Sequence, residues 1–425
     1  MTHPMIEQAA EILRGNDRGS YTVPTHGLYP FQWNWDSCLT ALGLAHFDEA
    51  RSWTEIDTLF DHQWEDGFVP HIIFHEADDG YFPGPDVWQT GRDVPTTGIT
   101  QPPVAGFAVR RLFDRARDTD LARRRAADLL PRIARWHDWF YRCRDPQGTG
   151  LVAIIHPWES GRDNSIDWDA ALAAVPTDGV MSFTRKDIQH ANPDHRPTQA
   201  QYERYIWLVQ HFRSLDWDHA KLHDASPFRV VDPGFNAILI RSCLDLAAMA
   251  DTLGQGDIAR SARAQAQKGL TALESLWNDA HGQYLCHDRA ANTTVDSPSV
   301  GGLLPAFAPI PAARSKAIVA RLEVIGKRSE YLVASHDPDS AEFESLRYWR
   351  GPVWLIVNYM IADGLRTAGE DAMADRIVAE SLHLIEQSGF AEYYDPMDGT
   401  PCGGGSFTWT AAMVVEFLTK GRVPA

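Results

Sequence analysis

Two segments far apart in the chain carry carboxylic acids among aromatic and glycine residues. The first runs from His156 to Asp169 and has four acids between Glu159 and Asp169. In the second, Glu392 follows a predicted helix end and is flanked by aromatic residues. An apolar wall and a neighbouring carboxylate both raise the pKa of an acid, so one acid in such a pocket can remain protonated. A polar turn with side-chain caps is the alternative interpretation of the first segment.

A third segment, Tyr29 to Ser37, interleaves aromatic rings with Gln, Asn and Asp just before a predicted helix. An aromatic face covers the C–H surface of a sugar, and neighbouring polar groups bind its hydroxyls. The segment therefore predicts a sugar-binding wall. Its alternative interpretation is a helix start at which Asp36 or Ser37 is the N-cap.

A fourth segment, Tyr348 to Trp354, places Arg350 between aromatic residues at the start of a predicted helix. A guanidinium fixed in this way can bind a carboxylate or sugar oxygens with two parallel hydrogen bonds. A purely structural salt bridge is the alternative that the sequence leaves open.

Two acids from distant loops in a tryptophan-lined pocket indicate glycoside hydrolysis, in which one carboxylic acid protonates the leaving oxygen and a second carboxylate activates water. Competing chemistries lack their motifs. The run Gly403 to Gly405 has no lysine or preceding strand of a nucleotide loop, and His71 and His75 lack the glutamate of a zinc helix. We therefore expect no cofactor and no metal.

Helical periodicity dominates the elements that must position these segments, and strand alternation is scarce. Glycines and prolines separate the helices, and long loops rich in Gly, Pro, Asp, Trp and Tyr lie between successive pairs. We expect an all-α fold, a single (α/α)6 barrel over residues 1–425 with its pocket at one end; an open solenoid is the alternative. Beyond two helices near Leu39 and Trp53, the predicted helices are 103–116, 120–142, 199–215, 235–253, 257–277, 311–325, 351–367, 371–387 and 406–419.

The composition favours a protein that acts on small molecules. Lys and Arg number 39 and Asp and Glu number 57, which gives a formal net charge of −18. That charge repels phosphate backbones and anionic lipid, so neither nucleic acid nor a membrane is an expected partner. The five widely spaced cysteines form no C-x-x-C pair, and we expect a cytoplasmic protein without a secretory signal. Homo-oligomerisation stays open.

These motifs, in this order between residues 29 and 410, resemble those of glycoside hydrolase family 63, and more loosely the trehalases. The segments that carry the resemblance are 32–37, 159–165, 348–354, 392–396 and 407–410. The resemblance implies an (α/α)6 barrel and an inverting α-glycosidase. The length of the chain is similar to that of the short bacterial branch, which hydrolyses mannosylglycerate and glucosylglycerate.

The resemblance also implies roles for individual residues. The general acid falls on Asp163 and the general base on Glu392. The glycerate end of the substrate falls on Tyr29, Trp33 and Gln101, with Arg196 and Tyr202 as partners of its carboxylate. The sugar subsite falls on Asp36, Tyr348 and Trp349. The predicted substrate-binding set also includes Gln32, Tyr81, Trp158, Arg350, Trp354 and Trp409.

Two local features differ from a simple transfer of the family pattern. Ile166 follows Asp-Asn-Ser, where the family often has proline, and we expect only a small change of the loop. Arg162 lies beside the predicted acid and would lower its pKa, so we expect it to point away or to pair with Glu159. Two other functions stay open: a family 63 enzyme acting on a neutral disaccharide or glucosylglycerol, and a noncatalytic sugar-binding barrel.

Overall fold

Helices form most of the computed structural model, which describes residues 3–189 and 192–419. The helices are α1 (Pro4–Gly15), α2 (Asn34–Leu44), α3 (Glu49–Asp61), α4 (Pro85–Trp88), α5 (Ala105–Arg115), α6 (Thr119–Cys143), α7 (Asp169–Ala173), α8 (Gln199–Ser214), α9 (His219–Ala225), α10 (Pro233–Thr252), α11 (Gly256–Leu273), α12 (Ala312–Ile325), α13 (Leu355–Thr367), α14 (Asp371–Ser388) and α15 (Thr408–Thr419). The strands are β1 (Gln32–Trp33), β2 (Ile72–Ile73), β3 (Val230–Val231), β4 (Trp277–Asn278), β5 (Gln283–Tyr284), β6 (His287–Asp288), β7 (Thr293–Thr294), β8 (Tyr393–Tyr394) and β9 (Pro401–Cys402). They pair antiparallel as β1-β2, β3-β6-β7, β4-β5 and β8-β9.

The inner elements close a ring. In order of contact, α2 packs on α5, α5 on α10, α10 on the 3₁₀ turn Leu304–Phe307, that turn on α13, α13 on α15, and α15 back on α2. Five of these have an outer helix packed against them: α3 on α2, α6 on α5, α11 on α10, α14 on α13 and α1 on α15. The outer helix α12 follows the 3₁₀ turn in the chain. Six pairs closed in this way form an (α/α)6 barrel, as the sequence predicts.

Burial distinguishes the inner helices from the outer ones. Every residue of α2 is buried, whereas α6 buries only one stripe of its surface. This is the difference expected between a helix surrounded by protein and one that faces water on one side. Two glycines allow close contacts inside the ring: a Cβ on Gly43 would lie 2.6 Å from the Cα of Ala412, and one on Gly364 would lie 1.9 Å from the carbonyl oxygen of Ala306.

The N-terminal ends of the inner helices lie at the end of the barrel that holds the predicted site. Trp33 directly precedes α2, Gln101 precedes α5, Tyr348 precedes α13 and Phe407 precedes α15, and all four line one cavity. The long connection between α6 and α10 adds the loop around residue 163 and helix α8 to the same end. Within the described ranges, no helix is both long and apolar enough to cross a membrane.

Most predicted helices are confirmed within a few residues, and the differences have local causes. The prediction that a helix begins at 351 is wrong, because Val353 pairs through its backbone with Ala334 and Tyr394 and the helix begins at Leu355. Helix α1 was not predicted; it buries only Ala9, Ala10 and Leu13. The predicted domain bounds 1–425 extend beyond the described residues at both ends and stay a prediction.

Candidate active site

A single cavity at the loop end of the barrel brings together most of the predicted site residues. It encloses about 860 Å³ of space between the side chains, which includes solvent-filled space at its open mouth. The predicted residues that line it are Tyr29, Trp33, Asp36, Tyr81, Gln101, Trp158, Asp163, Arg196, Tyr202, Tyr348, Glu392 and Trp409. Within residues 3–189 and 192–419, no group of three or more His, Cys, Asp or Glu side chains could hold a metal ion.

The loop that carries Asp163 is fixed from both sides. A 3₁₀ turn, Pro157–Ser160, ends at Gly161, whose φ of +70° favours glycine. A Cβ at Gly161 would also lie 2.7 Å from the ring of Trp35 on the opposite wall. The hydroxyl of Tyr205, on α8, donates a hydrogen bond of 2.8 Å to the carbonyl oxygen of Asp163. The backbone of the predicted acid is therefore held in place without using its carboxyl group.

Arg162 is directed into a buried ionic cluster. Its guanidinium binds Asp167 at 2.8 Å and Asp232 at 3.1 Å, and all three side chains are at most 2% exposed. Of the two arrangements expected for Arg162, the structure shows the first: it points away from the predicted acid. It does not pair with Glu159, which binds the equally buried Arg144 at 2.7 Å. Arg162 therefore anchors the loop from beneath, and its charge is balanced by two carboxylates of its own.

The surroundings of Asp163 favour its protonated form. Burial raises the pKa of the Asp163 carboxyl to about 7, the positive charge of Arg196 pulls that pKa down, and the negative charge of Glu392 pushes it up. A carboxylic acid with such a pKa is protonated in a large fraction of molecules near neutral pH. Asp163 can therefore donate a proton, which is the requirement for a general acid.

The pKa of Glu392 is also raised above its usual value, because the residue is fully buried, but several neighbours oppose that rise. Burial raises its pKa, while Arg196 and three hydrogen-bond donors lower it. The donors are Tyr29 at 2.9 Å, the backbone N–H of Gly404 at 3.1 Å and Tyr348 at 3.3 Å. Donors stabilise a carboxylate, so Glu392 is the better base of the two acids.

The glycine run that follows strand β9 supports the carboxylate of Glu392. Gly403 has a φ of +73°, and a Cβ there would lie 2.2 Å from Oε2 of Glu392. Pairing of β8 with β9 returns the chain so that the N–H of Gly404 reaches the same oxygen. The run thus supports the predicted base through close backbone approach.

Arg196 lies at the side of the cavity. Its guanidinium stacks over the ring of Tyr348 at 4.2 Å, donates to the hydroxyl of Tyr29 at 3.1 Å and to Asp187 at 3.3 Å. Tyr202 also lines the cavity, but its hydroxyl donates to the carbonyl oxygen of Phe82 at 3.1 Å. The hydroxyl of Tyr202 is therefore engaged with the backbone, and its predicted contact with a substrate carboxylate stays a prediction.

The remaining lining combines aromatic walls with polar groups. Trp33, Tyr81, Trp158 and Trp409 provide the aromatic surface that the sequence predicts. Asp36 is buried among them; burial raises its pKa well above the usual value, and the charges of Glu392 and Asp163 raise it further. The side-chain oxygen of Gln101 accepts a bond of 3.3 Å from the N–H of Trp35. Its NH₂ group makes no hydrogen bond to the described residues.

Four predicted substrate-binding residues do not line the cavity. Gln32 precedes Trp33 in strand β1, so its side chain points to the opposite face, where it donates to Ser37 and accepts from His75. Trp349 and Trp354 stack on each other at 3.9 Å, and both are buried.

The fourth is Arg350, which binds Asp169 and the carbonyl oxygen of Asn164. These contacts hold the loop that carries the predicted acid, so Arg350 has the structural role that the sequence left open. The helix-cap interpretation of Asp36 and Ser37 is wrong, because α2 begins at Asn34 and both residues lie within its first turn.

The cavity is also lined by residues outside the predicted substrate-binding set, among them Trp35, His71, Lys186 and Asp187. Burial lowers the pKa of His71 well below its usual value, so this imidazole is neutral. Trp35 lies in the predicted aromatic segment and could have been included on that ground. Lys186 and Asp187 lie in a loop without a recognisable pattern, and only the fold brings them to the cavity.

Comparison with known proteins places these features in one family. A family model described as the mannosylglycerate hydrolase MGH1-like glycoside hydrolase domain matches residues 29–410. The chain is 46% identical over 420 residues to mannosylglycerate hydrolase MGH1 of Selaginella moellendorffii, covering 98% of this chain and 86% of that protein. It is 33% identical over 437 residues to a glucosylglycerate hydrolase of Mycolicibacterium hassiacum, covering 97% of each. A crystal structure of the GH63 mannosylglycerate hydrolase from Thermus thermophilus, in complex with Tris and D-glycerate, matches with a TM-score of 0.95 and 46% identity, covering 98% of this chain and all of that one.

Proposed function

The chain belongs to the mannosylglycerate hydrolase MGH1-like glycoside hydrolase family, and we propose that it is an inverting α-glycosidase that hydrolyses mannosylglycerate or glucosylglycerate. The observation that carries the proposal is one cavity in which the carboxyl groups of Asp163 and Glu392 have different surroundings. Asp163 has a pKa raised to about 7 by burial, and Glu392 accepts three hydrogen bonds. Paired acids of this kind are the machinery of glycoside hydrolysis.

In the proposed reaction, Asp163 donates its proton to the glycosidic oxygen as the bond to the anomeric carbon breaks. Glu392 removes a proton from a water molecule that attacks the anomeric carbon from the opposite face. Tyr29, Tyr348 and the N–H of Gly404 orient the carboxylate of Glu392. Because the water must fit between base and sugar, the two carboxyl groups of an inverting enzyme stand roughly 6.5–9.5 Å apart.

The glycerate portion of the substrate is proposed to bind at Arg196. An arginine can form two parallel, charge-assisted hydrogen bonds with a carboxylate, and Arg196 lines the same cavity as both acids. Two relatives are named as hydrolases of mannosylglycerate and of glucosylglycerate, and the related crystal structure contains D-glycerate. The aromatic side chains Trp33, Tyr81 and Trp158 would cover the apolar faces of the substrate.

Incubation with defined glycosides tests this function. Purified protein should release sugar from mannosylglycerate or glucosylglycerate much faster than from glucosylglycerol or trehalose. Asp163→Asn and Glu392→Gln should each lose several orders of magnitude in kcat while circular dichroism stays unchanged, because both groups act in the transition state. Near-normal turnover by either variant, or equal rates on charged and neutral glycosides, would contradict the proposal.

We further propose that the enzyme acts in the cytoplasm as one barrel domain over residues 1–425. All five cysteines, Cys38, Cys143, Cys243, Cys286 and Cys402, are unpaired and buried, which suits a reducing compartment. Fractionation of the native host would test the location, and limited proteolysis would test the single domain.

A further inference from the structure

Arg196 belongs to a buried ionic triad in the segment that precedes α8. Arg185 binds Asp187 with two hydrogen bonds, Nε to Oδ1 at 3.0 Å and Nη2 to Oδ2 at 2.6 Å. Nε of Arg196 donates to the same Oδ2 at 3.3 Å. The side chains of Arg185, Arg196 and Asp187 are only 7%, 6% and 11% exposed. Two positive charges thus share one carboxylate, and the triad carries a net charge of +1.

Both arginines are also held by aromatic rings. Arg185 stacks over Tyr202 at 4.5 Å and donates to the carbonyl oxygen of Pro197 at 2.6 Å. Arg196 stacks over Tyr348 and donates to the hydroxyl of Tyr29, which in turn donates to Glu392. A continuous chain of polar contacts therefore links Asp187, through Arg196 and Tyr29, to the proposed base.

The carboxyl groups of Asp163 and Glu392 attract the charge of Arg196 more strongly than the neutral hydroxyl of Tyr29 does. That charge lowers the pKa of both Asp163 and Glu392. A guanidinium that moved into direct contact with either carboxyl would hold that group ionised and occupy the place of the substrate. Asp187 offers a competing carboxylate, bound at Nε of the same guanidinium, so it opposes that movement.

We propose that Asp187 is a positioning residue: it holds Arg196 at the edge of the cavity and balances part of its charge, so that the site receives a monoanionic aglycone while Asp163 remains an acid. The inference rests on the proposed function and adds to it. It identifies the residue that keeps the carboxylate-binding arginine away from the two reacting carboxyl groups.

The charge of the aglycone should therefore change the pKa of Asp163. A carboxylate bound to Arg196 neutralises the remaining positive charge of the triad, and this favours the protonated form of Asp163. A neutral aglycone leaves that charge in place. The two kinds of substrate should then differ in kcat as well as in KM.

The other groups around Asp163 fix the sign of this effect. Arg196 is the positive charge that acts on it, and Glu392 and Asp187 are negative charges that raise its pKa. Asp163 in turn raises the pKa of Asp36, which lies in the same cavity. The nearby tyrosines have pKa values raised by burial and stay neutral through the working range; they are Tyr81, Tyr205 and Tyr348.

The test is the pH dependence of kcat/KM in Asp187→Asn. The basic limb reports ionisation of the general acid in the unliganded enzyme. Loss of a negative charge stabilises the Asp163 carboxylate, so this limb should move to lower pH, by roughly 0.5 to 1 pH unit. KM for the glycerate glycoside should rise, and Asp187→Glu should restore much of both properties. Asp245→Asn, which removes an arginine-paired carboxylate on α10, is the control and should leave the limb unchanged.

A second variant separates electrostatics from loop structure. Arg185→Gln removes a positive charge from the same triad, so the basic limb should move to higher pH, opposite to Asp187→Asn. If the triad only held the loop in place, both Asp187→Asn and Arg185→Gln would reduce activity, and their basic limbs would not shift in opposite directions. Limbs that coincide with the wild type in both variants, with folding confirmed by circular dichroism, would overturn the inference.

Failure of the proposed function gives a different result. If the wild-type enzyme hydrolyses only neutral glycosides, the glycerate assignment fails, but the opposite shifts are still measurable on the glycoside that it does hydrolyse. If it hydrolyses none, infrared difference spectra of the carboxyl groups, with Asp163→Asn to identify the band, follow the titration of Asp163 directly. An unchanged titration in Asp187→Asn would then overturn the inference.

Discussion

Replacement of Tyr29 by phenylalanine tests the link between the arginine and the proposed base. The Tyr29 hydroxyl accepts from Arg196 at 3.1 Å and donates to Oε1 of Glu392 at 2.9 Å. A hydrogen bond to a charged group contributes about 1.5–3 kcal/mol. Since one pKa unit corresponds to about 1.36 kcal/mol, the pKa of Glu392 should rise by roughly 1 to 2 units. Tyr348 and Gly404 remain as donors, so the lower half of that range is expected.

The sign follows from the role of the base. Glu392 must be ionised to accept a proton, so the acidic limb of kcat/KM reports its ionisation, and a higher pKa moves that limb to higher pH. Initial rates on mannosylglycerate or glucosylglycerate between about pH 4 and pH 9 would measure the shift. Tyr331→Phe, which removes a hydroxyl that donates to the neutral Gln387, is the control. An acidic limb in Tyr29→Phe that coincides with the wild type would show that the Tyr29 hydroxyl does not lower the pKa of Glu392.

Three further changes test separate parts of the structure. Gly403→Ala should lower kcat about 100-fold with the fold retained, because the new methyl group would displace the carboxylate of Glu392; steady-state kinetics with circular dichroism check this, and near-normal kcat would contradict it. Arg196→Ala should raise KM sharply for a glycerate glycoside and leave KM for any neutral glycoside unchanged; equal effects on both substrates would argue against carboxylate binding. Gly364→Ala should lower the free energy of unfolding by about 1–3 kcal/mol, because the methyl group would press on Ala306 inside the ring; denaturant unfolding that matches the wild type would show that the contact relaxes.

The fold follows from the sequence to the extent that local periodicity determines it. Helices such as α6 and α14 begin and end within a residue or two of the predicted bounds, because their apolar stripes and their stop signals agree. The predicted start of α13 was wrong, because a β-bridge pairs Val353 with Tyr394 and no local sequence pattern connects these two positions. The 3₁₀ turn Leu304–Phe307, which replaces a full inner helix of the ring, is too short to give a periodic signal.

For the site, too, the sequence predicted what depends on local motifs and missed what depends on contacts between distant segments. The motifs indicated Glu392 and the acidic segment that contains Asp163, and the family resemblance singled out Asp163 within it; both line the cavity with ten other predicted residues. Within a motif, the sequence did not distinguish residues that face the cavity from residues that face away, because a motif does not show the direction of a side chain. Trp33 lines the cavity, and the neighbouring Gln32 lies behind it. The run that begins at Gly403 was excluded as a nucleotide loop, and its support of Glu392 was not predicted, because that support depends on the pairing of β8 with β9.

Asp187 is the cavity residue that the sequence was least able to predict. It stands in a loop without periodicity or a recognised motif, and it reaches the cavity only because that loop folds back before α8. Its partners Arg185 and Arg196 are two and nine residues away in the chain. Nothing in the spacing alone distinguishes this triad from ordinary charges on a surface loop.

The configuration of the first sugar released shows directly whether Glu392 acts through water. Inversion requires a water molecule between Glu392 and the anomeric carbon, opposite the proton donor Asp163. Proton NMR recorded within the first minutes of hydrolysis, before mutarotation, distinguishes the two anomers of the product. Hydrolysis of an α-glycoside by inversion should first yield the β-anomer. First release of the α-anomer would mean retention, and would contradict the assignment of Glu392 as a base acting through water.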